Sequence, residues 1–99
     1  STNSKTFALV LTISMVFQFF KRLLMFHSIT DSQNISQTLG INPFFLKDYK
    51  TASFNYNMKS CSKAIEIVYS ADLKCKGINS NENISKHILV DLINEIFEL

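Results

Sequence analysis

Apolar residues recur along the chain at spacings of three and four, the repeat of one face of an α-helix. The longest stripe, Leu9, Ile13, Val16, Phe20 and Leu24, predicts a first helix over residues 5–27. Phe7, Leu11 and Met15 lie beside it, as do Phe19 and Leu23, so apolar side chains cover well over half of its circumference. Such a helix belongs at the centre of a fold, touching several neighbours. Asp31 and Ser32 are candidate N-caps for a short second helix over 33–39, which Gly40 ends. Asn42-Pro43 opens a third helix over 43–54, because Asn supplies a capping oxygen and Pro gives up an N–H that has no intrahelical partner. That helix turns Phe45, Tyr49 and Ala52 inward and Lys47, Asp48 and Lys50 outward. Asn55 or Asn57 starts a fourth helix over 58–76, with Cys61, Ala64, Ile65, Val68, Ala71 and Cys75 facing the core and Gly77 as its stop. After a turn at Asn79-Ser80-Asn81, a last helix over 82–97 aligns Ile84, Ile88, Leu92 and Ile96, with Leu89, Ile93 and Phe97 alongside. The pattern predicts an all-α fold, a compact bundle of about five helices joined by short polar turns.

Ninety-nine residues fit one domain. Residues 1–6 read as a linker remnant from a longer chain, and residues 7–99 as a single helical domain. Nine Phe and three Tyr supply a core and exclude a disordered tail, while two Gly and one Pro are too few turn-formers for a β-rich domain. The net charge of +2 does not call for nucleic acid by itself. The lysines between Lys47 and Lys76 make a mildly basic stretch, read as solvated surface, and the end of the chain leans acidic. Cys61 and Cys75, about 21 Å apart on one helix, cannot form a disulfide, which points to a reducing, cytoplasmic compartment. The apolar run over 7–20 spans only about 21 Å as helix, short of a hydrocarbon core of roughly 30 Å, and reads as a core helix with no membrane role.

No catalytic signature is present. Two glycines make no phosphate-cradling loop, and His27 and His87 lack partners at metal-ligand spacing, so no cofactor or metal is expected and the fragment reads as no enzyme. Asp72 and Lys76 sit at i,i+4, an ordinary helix ion pair.

Several segments carry a family resemblance. The run Phe17-Gln18-Phe19-Phe20-Lys21-Arg22-Leu23-Leu24 resembles the central collar helix of bacterial DNA polymerase III delta subunits. The stretch from Ile35 to Ile41, then Asn42-Pro43-Phe44-Phe45-Leu46-Lys47, are similar to the elements that follow there, with Ser36 at a position where the family usually has Ala. Ala71-Asp72-Leu73-Lys74-Cys75-Lys76-Gly77 resembles the family's A-D-L-x-x-K-G, and the amphipathic segment from Ile84 to Phe97 completes the order. The resemblance covers residues 8–97 and implies the C-terminal collar domain of a clamp loader. Its implied partners are the gamma/tau and delta prime subunits through the collar, the sliding clamp through upstream AAA+-type domains, and primer-template DNA through the whole complex.

On that reading part of the aromatic surface awaits partners, and Phe44, Phe54, Tyr56 and Tyr69, off the inward stripes, are the interface candidates. The alternative is a helix-turn-helix DNA-binding domain of a transcription regulator, with Lys47, Lys50, Lys59 and Lys63 as weak DNA contacts. Against it, the recognition position would open with Pro43-Phe44-Phe45-Leu46, where base reading needs polar or basic side chains.

Overall fold

The computed structural model describes residues 4–30, 33–77 and 82–99. Among them are five α-helices and no strand: α1 Ser4–Ser28, α2 Ile35–Leu39, α3 Leu46–Asn55, α4 Met58–Lys76 and α5 Glu82–Phe97. A 3-10 turn, Pro43–Phe45, leads into α3. The fold is therefore the all-α bundle that the spacing predicts.

Helix α1 packs against each of the other four helices, most extensively against α4. Its buried line is Leu9, Ile13, Phe20 and Leu23, with half-buried Val16 between. Those steps of four and three follow the helical turn more closely than the predicted stripe, which ended on Leu24. Leu23 is wholly buried and Leu24 only partly so. Leu9 and Ile13 meet Val68, Ala71 and Cys75 of α4 and Ile88 and Leu92 of α5. Phe20 and Leu23 meet Tyr49, Cys61 and Ala64. Ala64 and Ala71 are small, which lets α4 approach α1 closely. Val16 and Ile96 pack against both groups and join them into one core.

Three further expectations shift for geometric reasons. Phe45, expected inside, is 48% exposed, because the three-residue turn ahead of α3 rotates it off the face that buries Tyr49. Ile84, expected on the inward line of α5, is 43% exposed, and Ser85 is buried instead. Steps of four at every turn drift about 40° each time, so Ile84, Ile88, Leu92 and Ile96 cannot share one line, whereas Ser85, Ile88, Leu92 and Ile96 nearly do. Finally, α1 begins at Ser4, so residues 4–6 of the anticipated linker are helical. The expected caps Asp31 and Ser32 and the turn Asn79-Ser80-Asn81 lie outside the described residues.

The punctuation sits where the residue types demand it. Gly40 has φ 71°, its N–H donates to Gln37 O, and the Ile41 N–H donates to Ser36 O, the two bonds of a Schellman helix end. Asn42 Oδ1 accepts from the Phe44 N–H at 2.9 Å, and Asn57 Oδ1 accepts from the Ser60 N–H at 2.8 Å. Asn57→Ala is expected to lower the unfolding free energy by about 1 kcal/mol, measured by urea denaturation.

The span Phe7–Ser28 of α1 has 22 residues, contains an 18-residue window of mean hydropathy 1.6, and is long and apolar enough to cross a membrane by length and composition. The estimate drawn from residues 7–20 alone is therefore too short, and length does not distinguish α1 from a membrane span. What characterises α1 is a single buried line that every other helix packs around, with 22% of the window inside the fold. Much of its remaining surface is apolar and open.

Candidate partner interface

The open apolar surface comes from a simple imbalance. A five-helix domain can bury one stripe of each helix, and α1 and α5 carry more than one. On α1, Phe7, Leu11 and Met15 lie outside the buried line and are 58%, 47% and 69% exposed. On α5, Val90, Ile93 and Phe97 repeat at steps of three and four and form a second seam beside the first, 45%, 42% and 79% exposed.

Two grooves lie beside α1, and Met15, Ile93 and Phe97 line the first of them. The first, about 330 Å³, runs between α1 and α5 over Met15, Val16, Phe19, Phe20, Tyr56, Leu92, Ile93, Ile96 and Phe97, and every one of these side chains is apolar or aromatic. The second, about 300 Å³, lies between α1 and α4 over Val10, Ile13, Ser14, Phe17, Val68, Tyr69 and Asp72. The total accessible area is 6848 Å² for an 11.3 kDa chain. A folded monomer of that mass ordinarily exposes about 5,700 Å². The excess is of the order of one side of a protein interface, roughly 800 Å².

The four aromatics expected at an interface separate. Phe44, Phe54 and Tyr69 are 80%, 81% and 63% exposed, as expected. Phe44 meets Phe45 edge-on at 5.6 Å. Tyr69 joins the α1–α4 groove, while Phe44 and Phe54 belong to neither groove. Tyr56 is half-buried: its ring packs against the core, edge-on to Phe20 at 5.2 Å, and it also lines the α1–α5 groove. The reason is local, since Tyr56 follows the end of α3 and folds back against α1. Its carbonyl accepts a hydrogen bond from His27 Nε2 at 2.7 Å and a weaker one from the Cys61 thiol at 3.7 Å. A carbonyl only accepts, so Nε2 carries the proton, and His27 serves as a tie between the end of α1 and the α3–α4 junction.

Sequence reading missed Met15, Ile93 and Phe97 as exposed groove residues by placing them beside the inward lines. The second seam on α5 is the signal that could have flagged Ile93 and Phe97. Lys47, Lys50, Lys59 and Lys63 are all exposed, two on α3 and two on α4. Asp72 and Lys76 form the expected i,i+4 pair at 2.9 Å, and the hydrogen bond to Asp72 raises the Lys76 pKa.

Among the described residues no three His, Cys, Asp or Glu side chains gather as metal ligands. Cys61 and Cys75 are buried free thiols whose pKa burial pushes up, with Asp72 adding to the shift at Cys75. The thiolate is thus disfavoured in the fold. The thiols' contribution to stability is flat below the ordinary thiol pKa of 9.0 and falls as pH rises past it, when the unfolded chain ionises first. Both thiols are expected to resist alkylation until the chain unfolds, a rate measured by thiol titration with and without urea. In the comparisons with known proteins, no family model, no curated protein and no solved structure matches the chain.

Proposed function

We propose that this chain is an assembly module, the C-terminal collar domain of a clamp-loader delta subunit, whose work is to pack against neighbouring subunits during DNA replication. The observation that carries the assembly reading is the pair of grooves beside α1, lined in part by the exposed Met15, Ile93 and Phe97 and by Tyr69. Apolar patches of this extent on a small domain mark surfaces meant to be covered. The specific identity rests on the family-like segments, which coincide with structural landmarks. Phe17 to Leu24 falls in the central helix, Gly40 and Asn42 set the helix end and cap before α3, and Ala71 to Gly77 closes α4.

In this role the chain has no substrate of its own. The exposed start of α3 carries Phe44 and Phe45, so its surface suits a protein contact better than a base edge. Gel filtration of the chain with gamma/tau and delta prime subunits at micromolar concentration tests the reading. Co-migration is expected, and separate elution in every combination would remove the clamp-loader identity.

A further inference from the structure

A hollow of about 290 Å³ lies between the same two helices as the α1–α5 groove, over Ala8, Leu9, Ser85, Lys86 and Leu89. Helices α1 and α5 run in the same direction, since residues 8 and 9 face 85–89 in this hollow and residues 15–20 face 92–97 in the groove. The two hollows therefore follow one another along a single trough, about 16 Å from Ala8 to Phe19, or three helical turns. One face of each helix borders it. On α1 that face is Ala8, Leu11 and Met15, and on α5 it is Lys86, Val90, Ile93 and Phe97, all at steps of three and four. The apolar floor decides what kind of chain can lie there. An extended strand would set its backbone N–H and C=O groups against side chains that cannot bond them, whereas a helix satisfies its own backbone. The charge at the trough is one-sided as well. Lys86 stands exposed at one end, and α1 has no acidic residue anywhere over Ser4–Ser28. The acids of α5 beyond Lys86, namely Asp91, Glu95 and Glu98, centre roughly 140° round the helix from the bordering face.

We propose that the trough seats an amphipathic helix of a partner protein, with its apolar stripe on the floor and a carboxylate flanking that stripe at the Lys86 end. The proposal rests on the assembly reading and names the kind of segment that covers one of its grooves. Apolar residues at i, i+3, i+4 and i+7 of the incoming helix form a ridge that fits between the bordering rows of α1 and α5. A helix flanked by lysines would bring like charge against Lys86. A nucleic-acid strand would find one cation beside an apolar wall, far short of the row of phosphate contacts that its binding requires.

Fluorescence anisotropy with labelled peptides tests this. Two helical peptides share one Leu seam at i, i+3, i+4 and i+7 and differ only in the flanking residues, Glu in one and Lys in the other. A third is the Glu peptide with Pro at its centre, which cannot stay helical. At low salt the Glu peptide is expected to bind roughly tenfold more tightly than the Lys peptide, with the gap closing as salt is added. Binding of the Pro peptide should be lost. Lys86→Glu should abolish or reverse the preference while keeping the circular dichroism of the parent, because Lys86 is exposed. Met15→Asp should weaken both peptides. Equal binding of the Glu and Lys peptides, binding of neither, or full binding of the Pro peptide would overturn the proposal. So would a preference that survives Lys86→Glu. Sedimentation equilibrium of the chain alone covers the other occupant: a dimer that Met15→Asp dissolves would assign the trough to a second copy and overturn the proposal too. None of these results depends on co-migration with loader subunits, so the two proposals can fail separately.

Discussion

Leu23→Ala is expected to lower the unfolding free energy by about 3 kcal/mol, with the urea midpoint falling and the slope unchanged. Leu23 is wholly buried on the central helix, between Phe20, Tyr49, Cys61 and Ala64. Truncation removes its transfer energy and leaves a cavity that α1, held on several sides, cannot close. Leu24→Ala is the control. Leu24 is half-buried at the edge of the same cluster, so its loss should cost clearly less. Equal costs would mean that α1 is rotated relative to the packing described. A larger cost at Leu24 would support the stripe as first read from the sequence.

The second large effect concerns association. Met15→Asp together with Phe97→Asp is expected to weaken co-migration with collar partners at least a hundredfold, while leaving thermal stability unchanged or slightly higher. Both side chains are mostly solvent-exposed in the isolated chain, so a charge there costs the fold little. In an assembly the same charges would be buried without partners in the apolar α1–α5 groove, where an uncompensated charge costs several kcal/mol. Sedimentation velocity of the mixture and a melt of the chain alone read the two halves of the prediction. Lost stability without lost association would assign Met15 and Phe97 to the core.

The helices were legible because their apolar residues repeat and because Gly40, Asn42, Asn57 and Gly77 sit where helices start and stop. What the spacing blurred was rotation. Leu23 and Leu24 are both Leu, and so is the choice between them invisible to composition; only the alternation of steps of four and three picks Leu23. Ser85 was invisible for the opposite reason, since a small hydroxyl residue looks like surface until Ile84 is seen to drift off the line. The half-burial of Tyr56 was illegible because it lies beyond the last turn of α3, where helical periodicity no longer applies. The exposed apolar surface was half legible. Isolated exposed aromatics such as Phe44 and Tyr69 stand out against a polar face, but Met15 and Phe97 border a buried line and look like core on any single helix. Whether a flanking seam is covered depends on how many helices the fold supplies, which is a property of the whole bundle.

The most direct measurement of the central claim is hydroxyl-radical footprinting of the chain alone and after mixing with the gamma/tau and delta prime subunits. Oxidation of Met15 and Phe97 should be rapid in the isolated chain and should drop several-fold in the mixture, with Phe20 slow in both. Unchanged oxidation of Met15 and Phe97 in a mixture that co-migrates would contradict the assignment of the α1–α5 groove as the covered surface.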